Sequence, residues 1–163
     1  MIEFGHLSHV GLRRELNEDT YYGDATLGLW LVADGMGGHD SGEVASALAR
    51  DTVVREVRAG RSLKEAIRQA DEEIIRQSRR RQQGMPMGTT LVAARVQSSG
   101  RFEIAWVGDS RAYLWDGRLR QVSSDHSYVQ ELVDRGKLTP EQARSHPQRN
   151  VVTKALGVGE SGQ

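Results

Sequence analysis

The segment with the clearest chemical content is an apolar run that ends in an aspartate and several glycines. Residues 29–33 predict a buried strand, and this strand delivers Asp34 into a Gly-Met-Gly-Gly turn. A carboxylate at the end of a buried strand requires a cation or a set of hydrogen bonds. Glycine lets backbone atoms approach a ligand closely, and hard divalent cations prefer oxygen ligands. The segment therefore indicates a metal site or, alternatively, a tight turn in which Asp34 binds local backbone amides.

A nucleotide-phosphate loop fits the same segment less well. The glycines are not followed by the lysine and the serine or threonine of such a loop. Asp34 would also repel phosphate unless a metal ion lay between them. The sequence thus favours a metal over a directly bound nucleotide.

Two further acidic clusters lie at strand ends or adjacent turns. Glu18 and Asp19 follow an asparagine near the amino terminus, and Asp109 follows the apolar run 104–107. Carboxylates that converge from several strands repel one another until a divalent ion neutralises them. The three clusters could be unrelated polar turns, but together with Asp34 they predict a metal centre.

Strands that could position these acids follow from short apolar runs. Four such runs predict strands, at 29–33, 89–96, 102–107 and 111–114. The pair Asp116-Gly117 predicts a hairpin turn. With helices inserted between them, these strands predict an α+β fold.

Four helices are predicted, over 42–57, from 62 to 84, over 128–135 and from 139 onward. Asp40 is expected to open the first helix and Gly60 to close it. The second begins with a capping box formed by Ser62 and Glu65. Pro140 takes the favoured first position of the fourth.

Composition excludes several classes of protein. Lysine plus arginine and aspartate plus glutamate number 22 each, so no global field attracts nucleic acid or an anionic membrane. No cysteine is present, so a metal must be held by oxygen or imidazole. The arginines at 79–81 could bind nucleic acid, but a solvated last helical turn is favoured. Without a long apolar run or signal peptide, we expect a cytoplasmic protein with no membrane or nucleic-acid partner.

Six ordered motifs carry a resemblance to a known family. They are Arg14 with Asn17-Glu18-Asp19, Asp34-Gly35-Met36-Gly37-Gly38-His39, Gly88-Thr89-Thr90-Leu91, Gly108-Asp109-Ser110-Arg111-Ala112-Tyr113, Ser124-Asp125-His126 and Asn150-Val151-Val152-Thr153-Lys154-Ala155-Leu156-Gly157. The chain resembles the type 2C-like metal-dependent serine/threonine protein phosphatases, in the form of the bacterial members. The resemblance implies a four-layer α-β-β-α sandwich of two antiparallel sheets flanked by helices, incomplete at the C-terminus. It also implies a truncated domain over 1–157, with a flap at about 127–157 and a flexible end at 158–163.

The resemblance further implies a centre of two magnesium or manganese ions, with a third, weaker ion in some members. Asp34 would bridge the two ions, and the Gly35 carbonyl would bind one of them. Glu18 and Asp19 would serve the second ion directly or through water, and Asp109 would support the third.

Two residues are implied to act on the substrate. Arg14 would grip the phosphate through its forked guanidinium. His39 is a candidate general acid, since animal members carry a histidine directly after the Asp-Gly pair, where this chain has Met36. The implied reaction is hydrolysis of phosphoserine and phosphothreonine in proteins by a metal-activated water. A serine/threonine kinase would oppose it.

The chain departs from the family pattern near its end. The later Asp-Gly and Asp-Asn pairs that hold the first ion do not occur, and Asp134 is the last aspartate. We therefore expect a fragment of an active enzyme that is inactive alone, in preference to a naturally short protein. The alternative function is a catalytically dead module that binds phosphoproteins. Sheet edges left exposed would favour a dimer.

Overall fold

The computed structural model describes residues 1–38, 41–81 and 86–159. Within these ranges the chain forms seven strands and four helices. In chain order they are β1 (Asp19–Asp24), β2 (Leu29–Met36), α1 (Ser41–Arg58), α2 (Leu63–Arg80), β3 (Gly88–Thr89), β4 (Leu91–Val96), β5 (Phe102–Val107), β6 (Tyr113–Trp115), β7 (Leu119–Gln121), α3 (Tyr128–Asp134) and α4 (Pro140–Ser145). The predicted α+β class, with two antiparallel sheets and flanking helices, is confirmed.

The larger sheet is built around β2. Its strand order is β1-β2-β4-β5, every pairing is antiparallel, and β3 pairs with the far end of β2. The smaller sheet is the hairpin of β6 and β7, which confirms the predicted turn at Asp116-Gly117. The φ angle of Gly117 is 100°, a left-handed conformation that favours glycine.

The two faces of β2 have different environments because side chains alternate along a strand. Leu29, Leu31 and Ala33 are buried against the helices. The intervening residues point to the opposite face, where Val32 is exposed. Asp34 follows Val32 on this second face, so its carboxylate lies away from the hydrophobic core.

Helix α1 packs on the first face of the sheet and α2 packs on α1, so that buried residues of both helices share one core with the sheet. Close packing of α1 depends on small residues, since Ala45 and Ala49 are fully buried. Val53 and Val57 are buried as the periodicity predicts, whereas the other two predicted apolar positions of α1 are only partly buried. The prediction used only the large apolar residues and therefore missed these alanines. Small side chains face the strand because they allow the helix to approach it closely.

Several predicted boundaries differ from the structure. The predicted strand 89–96 is two strands, because at Thr90 between them the Asp34 N–H binds the threonine hydroxyl in place of the main-chain carbonyl. The predicted strand 111–114 begins two residues later, because the Ala112 N–H binds the Ser123 hydroxyl. Strand β1 was not predicted at all. Asp40 and Gly84, predicted as helix ends, lie outside the described residues.

The capping box of α2 is confirmed and gives a first testable prediction. The Glu65 N–H donates to Ser62 Oγ at 3.2 Å, and the Ser62 N–H donates to Glu65 Oε2 at 3.2 Å. Ser62→Ala should lower the free energy of unfolding by about 1 kcal/mol, because a helix N–H loses its acceptor. Urea denaturation of this chain measures the change. Ser98→Ala, in an exposed turn, is the control and should be neutral.

Among the described residues, no helix is both long and apolar enough to cross a bilayer.

Candidate metal centre

The centre of the candidate site is a pair of aspartates on neighbouring strands. Asp19 of β1 lies directly opposite Asp34 of β2 in the sheet register. The pKa of Asp34 is raised to about 6, mainly by burial and further by the Asp19 charge, a hydrogen bond shared with Asp19 and the Asp109 charge, against the opposing charge of Arg14. Two like charges facing each other across a strand pair are destabilising unless a cation neutralises them.

Gly35 lets the chain pass between two other main-chain segments beside this pair. Its N–H donates to the Glu18 carbonyl at 3.1 Å. A β carbon at Gly35 would overlap the Gly42 carbonyl oxygen and lie 2.8 Å from the Glu18 carbonyl oxygen. The first turn of α1 therefore contacts β2 directly, and only glycine fits at this position.

Glu18 is fixed from two sides. Its carbonyl accepts hydrogen bonds from Gly35 N–H and from the buried Ser46 hydroxyl at 2.7 Å. Its carboxylate lies against Gly42, where a β carbon would collide with Oε1. Arg14 Nη1 is 3.7 Å from Glu18 Oε2, and the Arg14 side chain is 65% exposed. Arg14 is thus near the carboxylates but free to turn toward a ligand.

Thr90 links the two acidic segments. Asp34 N–H donates to Thr90 Oγ1 at 3.1 Å, and Thr90 N–H donates to the Asp34 carbonyl at 2.9 Å. The Thr90 and Ser110 hydroxyl oxygens are 2.6 Å apart. This chain of bonds fixes the distance between the Asp34 strand end and the loop that carries Asp109.

Asp109 lies in a tight turn after β5. Gly108 has a φ angle of 104°, and a β carbon there would lie 2.6 Å from Thr90 Cγ2. Burial raises the pKa of Asp109 and the Asp125 charge adds to this rise, while a hydrogen bond from its own backbone and the charge of Arg111 lower the pKa. Arg111 binds Asp125 through two nitrogens, with Nη2 2.6 Å from Oδ2. Because Asp125 occupies Arg111, the Asp109 carboxylate is left for another partner.

These residues border one open cleft of about 510 Å³. Its lining comprises Arg14, Glu18, Asp34, Gly35, Met36, Gly37, Thr90, Asp109, Asn150 and Val152. Asp19 lies in an adjoining cleft of about 190 Å³ that shares Asp34. The structure therefore brings Arg14 and the predicted metal ligands Glu18, Asp34, Gly35 and Asp109 together, with Asp19 on the other side of Asp34.

The acidic side chains around the cleft do not form a complete ion site among the described residues. In the ranges 1–38, 41–81 and 86–159, no three acidic or imidazole side chains are grouped closely enough to hold an ion by themselves. His39, the predicted general acid, lies outside the described residues. The roles assigned to individual side chains stay predictions.

Two residues of the cleft were not assigned a role from the sequence. Thr90 carries the bonds between Asp34 and Ser110, and Asn150 lines the cleft from the segment after α4. The sequence contains a signal for Thr90, since two threonines interrupt an otherwise apolar strand pattern. In the structure both threonines are fully buried. Buried hydroxyls need partners, so such a pair indicates a structural hydrogen-bond network.

Comparison with known proteins agrees with this geometry. The sequence pattern of protein phosphatase 2C matches residues 12–158. This chain belongs to the protein phosphatase 2C family.

Individual relatives are bacterial serine/threonine phosphatases. The chain is 39% identical over 163 residues to the serine/threonine protein phosphatase PstP of Mycobacterium tuberculosis, an alignment that covers 96% of this chain and 31% of that protein. The crystal structure of the M. tuberculosis phosphatase PstP/Ppp has a TM-score of 0.83 and 40% identity, over 96% of this chain and 68% of that one. A PstP catalytic domain in complex with two manganese ions has a TM-score of 0.80 and 36% identity, over 95% and 66%.

Proposed function

We propose that the protein containing this chain hydrolyses phosphoserine and phosphothreonine in other proteins, with divalent metal ions as cofactors. The observation that carries the proposal is the facing pair Asp19 and Asp34, beside a cleft that Arg14 and Asp109 also border. Membership of the protein phosphatase 2C family supports the same reaction. The chain spans 31% of its curated mycobacterial relative, so the activity is proposed for the whole protein.

The acidic residues fit a divalent ion in the kind of donor they offer. A cation would relieve both the cost of burying the Asp34 carboxylate and its repulsion by Asp19, the two largest causes of the raised pKa of Asp34. Asp34 and Asp19 would hold the ions together with Glu18, the Gly35 carbonyl and Asp109. The manganese-bound relative supports Mn²⁺, and Mg²⁺ suits the same oxygen donors. When bound, divalent ions acidify a water molecule and neutralise charge at the phosphate.

The residues of this chain would orient the substrate around that centre. The exposed guanidinium of Arg14 can form two parallel hydrogen bonds to phosphate oxygens. Thr90 keeps Asp34 and the Asp109 loop at a fixed separation. His39 is retained as the proposed proton donor to the departing serine or threonine oxygen.

Arg14 provides a direct test of substrate binding. Arg14→Ala should raise KM for a phosphothreonine peptide by about 10-fold or more, because a charged hydrogen bond contributes roughly 1.5–3 kcal/mol. The KM of Arg14→Lys should lie between those of the wild type and Arg14→Ala, since lysine keeps the positive charge but cannot form two parallel hydrogen bonds. Arg13→Ala is the matched control, because this neighbouring exposed arginine is absent from the described cleft lining. Equal KM values for the Arg13 and Arg14 variants would contradict the assignment.

The metal requirement is tested by phosphate release from phosphopeptides with added Mn²⁺ and with a chelator. The full-length protein should be active with Mn²⁺ and inactive after chelation. Release that the chelator does not change would remove the proposed chemistry. Residues 1–163 alone should turn over poorly, because their described acids do not complete an ion site.

A second candidate function is a catalytically dead module that binds phosphoproteins. It is favoured by the same incomplete grouping of acids. Titration with a phosphorylated peptide and its unphosphorylated form distinguishes the two functions. The dead module requires a clear preference for the phosphopeptide without turnover by the full-length protein.

Partners and assembly belong to the same proposal. A protein kinase that phosphorylates the same serine and threonine residues would oppose this activity. The outer strands β1 and β5 form the edges of the larger sheet, so pairing of these edges would be the route to a dimer. Sedimentation of the purified chain over a range of concentrations tests the dimer.

A further inference from the structure

His126 lies between the Asp109 turn and the segment that follows α4. Its ring Nδ1 accepts the Gly108 N–H at 3.0 Å, and its main-chain N–H donates to the Gly108 carbonyl at 2.9 Å. Its carbonyl accepts the Thr153 N–H at 2.9 Å. The ring also stacks on Trp106, with ring centroids 6.4 Å apart and an angle of 21° between the planes. Both polar groups of the Gly108 main chain are therefore bound by one residue.

The position of Gly108 makes this contact significant. Its φ angle of 104° turns the chain out of β5, and the next residue, Asp109, borders the cleft. On the other side of Asp109, the Ser110 hydroxyl is bound to Thr90. Asp109 is thus fixed by a hydrogen bond at each neighbour, and His126 supplies the bonds on one side.

We propose that His126 is a positioning residue that directs the Asp109 carboxylate into the cleft by binding both main-chain groups of Gly108. The proposal rests on the proposed phosphatase function, because Asp109 is assigned there to the metal centre. His126 itself need not touch substrate or metal. Through its main-chain carbonyl the same residue also connects this turn to Thr153, which follows Val152 of the cleft lining.

The hydrogen bond defines the state of the ring. Nδ1 can accept the Gly108 N–H only when it carries no proton, so the neutral ring has its proton on Nε2. Burial lowers the pKa of His126 and the charge of Lys154 lowers it further, while Asp125 and Glu131 raise it. The net direction agrees with a ring that acts as an acceptor.

Two substitutions separate the acceptor from the bulk of the ring. His126→Asn places a carbonyl oxygen close to the position of Nδ1, so it can still accept the Gly108 N–H. His126→Leu fills similar space but offers no acceptor. In the full-length protein with Mn²⁺, His126→Leu should lower kcat about 10- to 100-fold with little change in KM, because residues that orient metal ligands contribute by this amount. His126→Asn should keep a kcat close to that of the wild type.

A second readout does not depend on catalysis. Hydrogen exchange of the Gly108 amide, measured by NMR, should be much faster in His126→Leu and close to wild type in His126→Asn. Mn²⁺ affinity, measured by water proton relaxation, should weaken in His126→Leu. These measurements remain informative if the protein proves inactive, and inactivity of the wild type would count against the proposed function alone.

His146 is a matched control. Its Nδ1 accepts the Gln148 N–H at 3.0 Å, the same type of bond as that of His126. It makes an edge contact with Tyr128 and is absent from the described lining of the cleft. His146→Leu should therefore leave kcat unchanged. The proposal is overturned if His126→Leu keeps wild-type kcat and Gly108 exchange, if His126→Asn loses as much as His126→Leu, or if His146→Leu reduces kcat equally.

Discussion

Asp34→Asn is expected to abolish phosphatase activity in the full-length protein while making the metal-free chain more stable. Asparagine keeps the shape of the side chain but removes one of two facing negative charges. The free energy of unfolding should rise by about 0.5–1 kcal/mol, since like charges directly opposite each other destabilise a strand pair. Activity should fall about 10³-fold or more, because charge stabilisation by metal ions contributes several kcal/mol and about 1.4 kcal/mol corresponds to tenfold in rate.

The measurements are phosphate release with Mn²⁺ and urea unfolding in the presence of a chelator. Asp24→Asn is the matched control at the other end of β1. The pKa of Asp24 is lowered by hydrogen bonds from the Leu27 N–H and the Tyr22 hydroxyl, so its charge is favourable in the fold. This control should reduce stability and leave activity intact. Retained activity in Asp34→Asn would exclude the proposed centre, and a loss of stability would exclude the repulsion between Asp19 and Asp34.

Gly35→Ala is expected to destabilise the fold on the order of 3 kcal/mol and to remove activity with it. The added methyl group would overlap the Gly42 carbonyl oxygen and press on the Glu18 carbonyl oxygen. Both obstacles are main-chain atoms, so no side-chain rotation relieves the overlap. The strand β1 or the start of α1 would have to move, and each carries part of the cleft. Thermal and urea unfolding of the purified variant measure the effect.

Two other glycines give a graded comparison. A β carbon at Gly42 would meet the Glu18 carboxylate, which is the movable end of a side chain, but it would also lie 2.9 Å from the main-chain carbonyl carbon of Gly35. Gly42→Ala should therefore displace Glu18, weaken Mn²⁺ binding and destabilise the fold, though by less than Gly35→Ala, whose main-chain overlap is closer. Gly5→Ala meets no atom within 4 Å and should be neutral. A stable, active Gly35→Ala protein would show that β2 and α1 do not touch as described.

The candidate centre illustrates how one strand can serve two purposes. The inward residues of β2, such as Leu29 and Leu31, hold the sheet against the helices. The outward Asp34 is fixed through its main chain by Thr90, so the costly carboxylate is positioned by bonds that do not neutralise it. Its charge is thereby kept for a ligand. This is the arrangement that a metal centre requires, since neutralising bonds to the carboxylate would compete with the ion.

Local sequence determined the elements whose signals lie within a few residues. The capping boxes that begin α2 and α4 need only neighbouring side chains, and both are formed. The apolar alternation of β2 likewise predicted a strand ending at Asp34. The motifs further indicated that Arg14 and the separated acids belong to one family pattern.

Tertiary structure decided which distant residues meet. Strand β1 has a threonine and two tyrosines, which favour a strand, between two aspartates and a glycine, which do not, so local propensity is divided and pairing with β2 decides its extended form. That pairing places Asp19 opposite Asp34. Thr90 breaks a predicted strand because its hydroxyl, in place of its carbonyl, accepts the Asp34 N–H and also pairs with the Ser110 hydroxyl. Both partners lie far away in the chain. Register and hydrogen-bond partners depend on long-range contacts, and for this reason only the folded chain defined the geometry of the cleft.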